Sequence, residues 1–206
     1  MFSIATRHLY LCVGIRSDVR EFLPAVLRGG VDIVQLREKQ APDEEQIRVG
    51  TLMREICHEF GVPFIMNDSA ELALATRADG VHVGQDDESV THCRALLGDE
   101  AIIGISTHAD EEFDAALPLP VTYRSAGPIV ATPTKAGRTP TGVEYPVRCV
   151  HKSSDPVFVT GGVDVATLPG LVAAGLRHFV VVRALTESTT PEATARALHE
   201  AMAPLA

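Results

Sequence analysis

The sequence predicts a single domain, residues 1–206, folded as a (β/α)8 TIM barrel. Eight short runs rich in Val and Ile recur along the chain, and the segments between them space their apolar residues as helices do. Strands that alternate with helices pair in parallel through right-handed crossovers, and eight such units close into a barrel. An open doubly wound sheet is the alternative, but it requires a Gly-rich turn where the chain reads VGIRSD.

Each predicted strand is a short apolar run that ends in polar or small residues. In chain order the runs are LYLCVG from Leu9, DIVQLRE from Asp32, PFIMND from Pro63, GVHVGQ from Gly80, AIIGIST from Ala101, TYRSAG from Thr122, PVFVTGG from Pro156 and HFVVVRA from His178. Helical spacing begins after Ser17, Pro42 and Asp86, and it stops at Gly29-Gly30, Gly61 and Gly98 respectively. The last helix is predicted to begin at Thr189–Glu192, which offers an N-cap, a first-turn Pro and a first-turn acid.

The composition excludes several classes of protein. Eighteen Lys and Arg against 27 Asp and Glu give a formal net charge of −9, so we expect neither nucleic acid nor a membrane surface as a partner. No segment reaches the roughly 18 apolar residues of a membrane span, and we expect a cytoplasmic protein. Cys12, Cys57, Cys93 and Cys149 are too scattered for a zinc knuckle or a CxxC redox site, and we expect small buried hydrophobes at these positions.

The end of the second strand places cations where a barrel has its active site. Side chains alternate along a strand, so Gln35, Arg37 and Lys39 share one face, which is predicted to point inward at the mouth. Charges there are costly unless they are paired or bound to an anion. The alternative to an anion site is that Arg37 and Lys39 belong to a solvated rim or to internal ion pairs.

The third and fourth strands end in carboxylates. Asn67-Asp68 follows one strand and Asp86-Asp87 follows the next. Carboxylates beside the cations of the second strand suit Mg²⁺, which completes its shell with phosphate and water. The alternative for Asp68 and Asp86 is N-capping of the helices that follow.

The later strands add groups that suit a phosphate. Ser106 ends the fifth strand, where a hydroxyl either caps the next helix or binds an anion. The Pro-stiffened loop Gly127–Thr141, which holds Lys135 and Arg138, is predicted to act as a lid. Gly162 and Arg183 end the seventh and eighth strands, where barrels of this architecture repeatedly bind phosphate. His82 alternates with valines inside the fourth strand, and this pattern favours a core histidine whose hydrogen bonds are satisfied over a catalytic one.

An ordered series of motifs resembles the thiamine phosphate synthase family. VQLREK, PFIMND, ADGVHVGQDD, GISTH, GPIVATPTK, TGGV and VVVRAL occur in this order, and the resemblance extends from about Leu9 to Leu198. It implies a Mg²⁺-dependent transferase of an alkyl group other than methyl. That enzyme joins 4-amino-2-methyl-5-hydroxymethylpyrimidine diphosphate to 4-methyl-5-(2-phosphoethyl)thiazole, giving thiamine phosphate and pyrophosphate. The implied mechanism is dissociative: pyrophosphate leaves first, and the thiazole nitrogen then captures a pyrimidinylmethyl cation.

The resemblance also implies a role for each site residue. The pyrimidine diphosphate is bound by Gln35, Arg37, Lys39, Asn67 and Ser106. Mg²⁺ is bound by Asp68 and Asp87, and the leaving pyrophosphate meets Lys135, so Arg37, Lys39 and Lys135 form the catalytic set. The thiazole phosphate is bound by Thr132, Thr134, Gly162, Val182 and Arg183.

Three departures from the family pattern accompany this resemblance. Arg183 stands where many members have Ser, and the first strand reads LYLCVG where LYVIT-like versions followed by Asp are common. The sixth strand reads TYRSAG, which puts its packing in doubt. Two other functions stay open: a thiazole tautomerase of the related barrel type, and a non-catalytic barrel that senses phosphorylated thiamine precursors. A homo-oligomer is also left open.

Overall fold

The structure is a computed structural model that describes residues 2–132 and 139–202. Its strands are β1 Leu9–Val13, β2 Ile33–Leu36, β3 Phe64–Asn67, β4 Gly80–Val83, β5 Ile102–Thr107, β6 Tyr123–Ala126, β7 Val157–Val159 and β8 His178–Val181. Its helices are α1 Val19–Arg28, α2 Asp43–Glu59, α3 Ala70–Thr76, α4 Val90–Leu97, α5 Asp110–Ala116, α6 Glu144–Lys152, α7 Leu168–Ala173, α8 Arg183–Thr186 and α9 Pro191–Ala201.

The eight strands pair in parallel in chain order and close into a barrel, because β8 also pairs with β1. A helix follows every strand on the outside, and α9 packs against α1. The predicted (β/α)8 barrel is therefore confirmed, with each apolar run forming the predicted strand. Within the described residues, no helix is long and apolar enough to cross a membrane.

Alternation along the strands divides the apolar core in two. Outward residues such as Leu11, Val34 and Val81 pack under the helices in one large cluster. Inward residues form a smaller cluster that fills the barrel toward the amino ends of its strands: Ile4, Tyr10, Ile33, Ile65, Ile102, Tyr123 and Phe158. The inward positions nearer the carboxyl ends are polar and include Gln35, Asn67, Ser106 and Ser125, all of them buried. All four cysteines are buried, as predicted.

The unusual sixth strand is explained by Arg124. This side chain points outward and is only 1% exposed. Its guanidinium donates to the carbonyl oxygens of Ala116 and Leu117 at 2.8 and 2.9 Å, and it pairs with Asp155 at 2.7 Å. Arg124 thus satisfies the carbonyls at the end of α5 and binds β6 to the segment before β7. These contacts explain how the sixth strand packs although its sequence departs from the family pattern.

Candidate active site

A cavity of about 580 Å³ opens at the carboxyl ends of the strands. Every predicted site residue that the structure describes lines it: Gln35, Arg37, Lys39, Asn67, Asp68, Asp87, Ser106, Thr132, Gly162, Val182 and Arg183. Thr134 and Lys135, together with Arg138, lie outside the described residues. The cavity therefore gathers side chains from strand ends all around the barrel.

Asp68 and Lys39 form the polar centre of one side of the mouth. The Lys39 Nζ lies 2.7 Å from the Asp68 Oδ2, and Asp68 has a positive φ of 63° immediately after β3. Burial raises the pKa of the Asp68 carboxyl above its ordinary value, the hydrogen bond from Lys39 partly opposes this, and the neighbouring Asp87 raises the pKa further. Two adjacent carboxyl groups beside one ammonium group create a local excess of negative charge.

The alternative that Asp68 and Asp86 cap helices is wrong for these residues. Ser69 is the N-cap of α3, and its hydroxyl accepts from the Leu72 amide at 3.2 Å. Ser89 is the N-cap of α4 and accepts from the His92 amide in the same way. The helix predicted after Asp86 therefore begins only at Val90, and Asp68 lines the cavity without capping a helix.

The oxygen donors fit Mg²⁺. Asp68 and Asp87 offer two carboxylates that share one edge of the cavity. Mg²⁺ binds in proteins through one or two carboxylates and completes its octahedron with waters and phosphate oxygens. The Asp87 Oδ2 also accepts the Gly84 amide at 2.7 Å, so this carboxylate is fixed in place.

An amide pair beside the cations has one unused donor. Gln35 Nε2 donates to Asn67 Oδ1 at 2.9 Å. The Asn67 Nδ2 is buried, and within residues 2–132 and 139–202 it has no hydrogen-bond partner. A buried donor without a partner costs free energy, so this nitrogen favours a ligand that brings an acceptor. Arg37 also lines the cavity, and its backbone amide donates to the Val13 carbonyl just beyond β2.

Glycines and Arg183 form the opposite side of the mouth. Gly161 and Gly162 both have positive φ, and a Cβ on Gly162 would collide with Val130. In the described part of the chain, the Gly162 amide has no hydrogen-bond acceptor, which suits an oxyanion. The exposed Arg183 begins α8, and no described acid pairs with it. A salt bridge to Asp164 or Glu187 is the alternative to a phosphate contact for Arg183, but Asp164 instead accepts the Ala166 and Thr167 amides.

The floor of the cavity contains residues that the sequence did not single out. Tyr10, Cys12, Tyr123 and Ser125 line it together with His82. Both ring nitrogens of His82 are hydrogen-bonded, one to the Tyr123 hydroxyl and one to the Ser106 Oγ, each at 2.9 Å. The prediction of a satisfied histidine is confirmed, but this histidine is half-buried beneath the site. Alternation along the strands could have identified them, because these residues lie on the same inward face as Gln35 and Ser106.

A (β/α)8 barrel with cations, paired carboxylates and a glycine turn at its mouth belongs to the class of enzymes that act on phosphorylated small molecules. Comparison with known proteins gives the family within that class. The family model for thiamine monophosphate synthase matches residues 9–185.

Individual relatives agree with the family model. The chain is 41% identical over 194 residues to the thiamine-phosphate synthase of Acidothermus cellulolyticus, covering 92% of both chains. It is 40% identical over 191 residues to that of Gloeobacter violaceus, with 93% of this chain matching 56% of the longer relative. Among solved structures, thiamine phosphate pyrophosphorylase from Pyrococcus furiosus superposes with a TM-score of 0.87 at 26% identity, covering 98% of each chain.

The chain belongs to the thiamine monophosphate synthase family. The resemblance read from the motifs is therefore confirmed, and so is the prediction of an enzyme of the thiamine-phosphate synthase type. The chain spans about half the length of the Gloeobacter relative and nearly all of the Acidothermus relative.

Proposed function

We propose that this chain joins the pyrimidine diphosphate to the thiazole phosphate at the mouth of the barrel, with Mg²⁺, and releases pyrophosphate. The observation that supports this most directly is the joint placement of Lys39, Asp68 and Asp87 on one side of a single cavity and of Gly162 on the other. The cavity, at about 580 Å³, is in the size range of pockets that take a small-molecule ligand.

In the proposed reaction, the bond between the pyrimidine methylene carbon and the diphosphate oxygen breaks first. Pyrophosphate keeps the electron pair, and the methylene carbon becomes a cation. The lone pair of the thiazole nitrogen then forms the new C–N bond, and no proton needs to move. Negative charge therefore grows on the leaving group, so electrostatic stabilisation of that charge lowers the barrier.

The cations of the mouth are proposed to receive that charge. Arg37 and Lys39 would bind the diphosphate oxygens, and the family resemblance adds Lys135, which lies outside the described residues. Asp68 and Asp87 would hold Mg²⁺, which would supply further positive charge to stabilise the leaving group. Asn67 and Ser106 would hold the pyrimidine end, where Asn67 offers its unused donor.

The opposite side of the mouth is proposed to bind the thiazole phosphate. The Gly162 amide, the Thr132 hydroxyl and the Arg183 guanidinium line that side, and Val182 lies beside them. Thr134 joins this set by resemblance. Guanidinium groups bind phosphate through two parallel hydrogen bonds. Arg183 can therefore bind the thiazole phosphate at the position where many family members have Ser.

Further parts of the proposal follow from composition and fold. Residues 1–206 are proposed to form one domain that works in the cytoplasm on small phosphorylated substrates. The net charge of −9 speaks against nucleic acid as a partner.

The test is an assay of the purified chain with both phosphorylated precursors and Mg²⁺, followed by chromatographic detection of thiamine phosphate. We expect the product only when both precursors and the metal are present. Isomerisation of the thiazole alone would indicate a tautomerase, and binding of either precursor without product would indicate a sensor. Either result would refute the proposed function.

A further inference from the structure

We infer that Glu38 is a positioning residue for Lys39. Its carboxylate accepts the backbone amides of the turn that carries Lys39 and fixes that turn against the end of β1. The inference rests on the proposed function, because it concerns the placement of a cation that faces the leaving pyrophosphate. In the described part of the chain, Arg37 and Lys39 line the cavity, whereas Glu38, which lies between them, does not.

The turn after β2 leaves the sheet before it reaches Lys39. β2 ends at Leu36, and the Arg37 amide donates to the Val13 carbonyl at 2.8 Å, so pairing with β1 still fixes Arg37. Within residues 2–132 and 139–202, no backbone–backbone hydrogen bond holds positions 38–41. The sheet therefore fixes Arg37 but not Lys39, and a different contact must hold Lys39 at the mouth.

The Glu38 carboxylate supplies that contact. Its Oε1 accepts the Lys39 amide at 2.9 Å and the Gln40 amide at 3.0 Å. Its Oε2 accepts the Ile15 amide at 3.4 Å, a longer bond that reaches the segment after β1. In a parallel ladder that continued, the Ile15 amide would donate to the Arg37 carbonyl. The carboxylate therefore takes the place of a backbone acceptor at the end of the β1–β2 pair.

The charge of Glu38 is directed at amides and not at its cationic neighbours. Lys39 pairs with Asp68 at 2.7 Å, and Glu38 forms no ion pair within the described residues. The hydrogen bond from the Gln40 amide lowers the pKa of the Glu38 carboxyl below its ordinary value, although partial burial opposes this. A carboxylate that served only as a surface counter-ion would meet Arg37 or Lys39 instead.

A fixed turn matters because the position of a cation determines how well it stabilises charge in the transition state. The Lys39 side chain is 50% exposed, so packing alone does not hold its ammonium group in place. Glu38 fixes the backbone from which this side chain extends, and Asp68 holds its far end. Loss of the Glu38 carboxylate should therefore lower kcat without removing the charge of Lys39.

The first measurement is amide hydrogen exchange by NMR, which needs no activity. Glu38→Met keeps the length of the side chain and removes its acceptors. The Lys39 and Gln40 amides should exchange about tenfold faster in this variant than in the wild-type chain, which is the effect of one hydrogen bond. The Ala166 amide, which donates to Asp164 after β7, should exchange equally in both chains. Unchanged exchange at Lys39 and Gln40 would overturn the inference.

The second measurement is a double-mutant cycle in kcat. Glu38→Met should lower kcat roughly 10- to 100-fold in the wild-type chain, because misplacing a reacting group by about 1 Å can cost about 10²-fold. In a chain that already carries Lys39→Met, it should lower kcat by less than about threefold. Glu38→Gln, which keeps one oxygen for the Lys39 and Gln40 amides, should retain more activity than Glu38→Met. Equal losses from Glu38→Met in both chains would show that Glu38 does not act through Lys39.

Asp32→Asn is the matched control for Glu38→Gln. The Asp32 carboxylate also accepts two backbone amides, those of His8 and Leu9 at 2.7 and 2.9 Å, but it lies just before β2 at the opposite end of the barrel. Asp32→Asn should lower the free energy of unfolding in urea and leave kcat unchanged. A fall in kcat as large as that of Glu38→Gln would mean that kcat reports a general loosening of the strand, and the inference would be wrong.

The outcomes separate this inference from the proposed function. If the chain is active and Glu38→Met keeps the wild-type kcat, the inference fails alone and the proposed function stands. If the wild-type chain makes no thiamine phosphate, the proposed function fails, while amide exchange still decides whether Glu38 holds the turn that carries Lys39.

Discussion

Replacing Lys39 by Met tests whether this lysine acts in the transition state. The substitution keeps the apolar stem and removes only the charge. In the proposed reaction Lys39 faces more negative charge on the departing pyrophosphate than on the bound diphosphate. Loss of one such donor costs about 2.7–4 kcal/mol, so kcat should fall roughly 10²- to 10³-fold at saturating substrate and Mg²⁺.

The same substitution should hardly change the stability of the fold. The Lys39 side chain is 50% exposed and that of Asp68 is 29% exposed, so their 2.7 Å ion pair is largely screened by solvent. Such pairs contribute at most about 1 kcal/mol, and urea unfolding should show a change no larger than that. We therefore expect Lys39→Met to lose catalytic activity while its free energy of unfolding stays nearly unchanged.

Lys152→Met provides the matched control for Lys39→Met. Lys152 forms an ion pair of the same length, 2.7 Å, with Asp114 on the outer helices, and we expect its replacement to leave kcat unchanged. If Lys39→Met raised KM while leaving kcat within about threefold, Lys39 would bind substrate and transition state equally. The electrostatic reasoning would then be wrong for this residue.

Three other substitutions are predicted to act on different parts of the molecule. Asp87→Asn should slow turnover sharply and weaken Mg²⁺ binding, measured by metal titration of activity. Because Asp87 raises the pKa of Asp68, the same variant should shift the Asp68 carboxyl titration to lower pH in ¹³C NMR. Arg183→Ser should raise KM for the thiazole phosphate and leave KM for the pyrimidine diphosphate nearly unchanged. Arg124→Met should destabilise the fold by about 1–3 kcal/mol in urea unfolding, since it leaves the buried Ala116 carbonyl without its donor, while the half-exposed Asp155 is solvated by water.

Each of these three predictions has a contrary result, and two of them have a control variant. His92→Ala removes an exposed cluster with Glu71 and Glu88 that could also hold a cation, and it should leave Mg²⁺-dependent activity unchanged. Full activity of Asp87→Asn in EDTA would remove the metal assignment. Equal KM values before and after Arg183→Ser would make that residue structural. Arg148→Met breaks an exposed pair and should cost under about 1 kcal/mol, and a similarly small loss for Arg124→Met would contradict the burial argument.

The sequence predicted the barrel and most of the mouth because both depend on local patterns. Strand parity placed Gln35, Arg37 and Lys39 together, and strand ends placed Asp68 beside them. These inferences need no knowledge of register between strands. The family resemblance then supplied roles that residue types alone left open.

What the sequence missed depends on contacts between distant strands. The Tyr123–His82 hydrogen bond forms only because the register sets His82 and Tyr123 on either side of Gly104. The position of Arg124 between α5 and Asp155 is equally non-local. The alternative that Asp68 and Asp86 cap helices is wrong for a simpler reason. Acids and serines are both good N-caps, and Ser69 and Ser89 lie closer to the first residues of the two helices.

A crystal structure with Mg²⁺, pyrophosphate and thiamine phosphate would test the assignment of this cavity most directly. We predict the metal on Asp68 and Asp87, pyrophosphate against Arg37 and Lys39, and the product phosphate over the Gly162 amide. Pyrophosphate bound outside this cavity, or the metal bound at other residues in an active crystal, would contradict the proposed site.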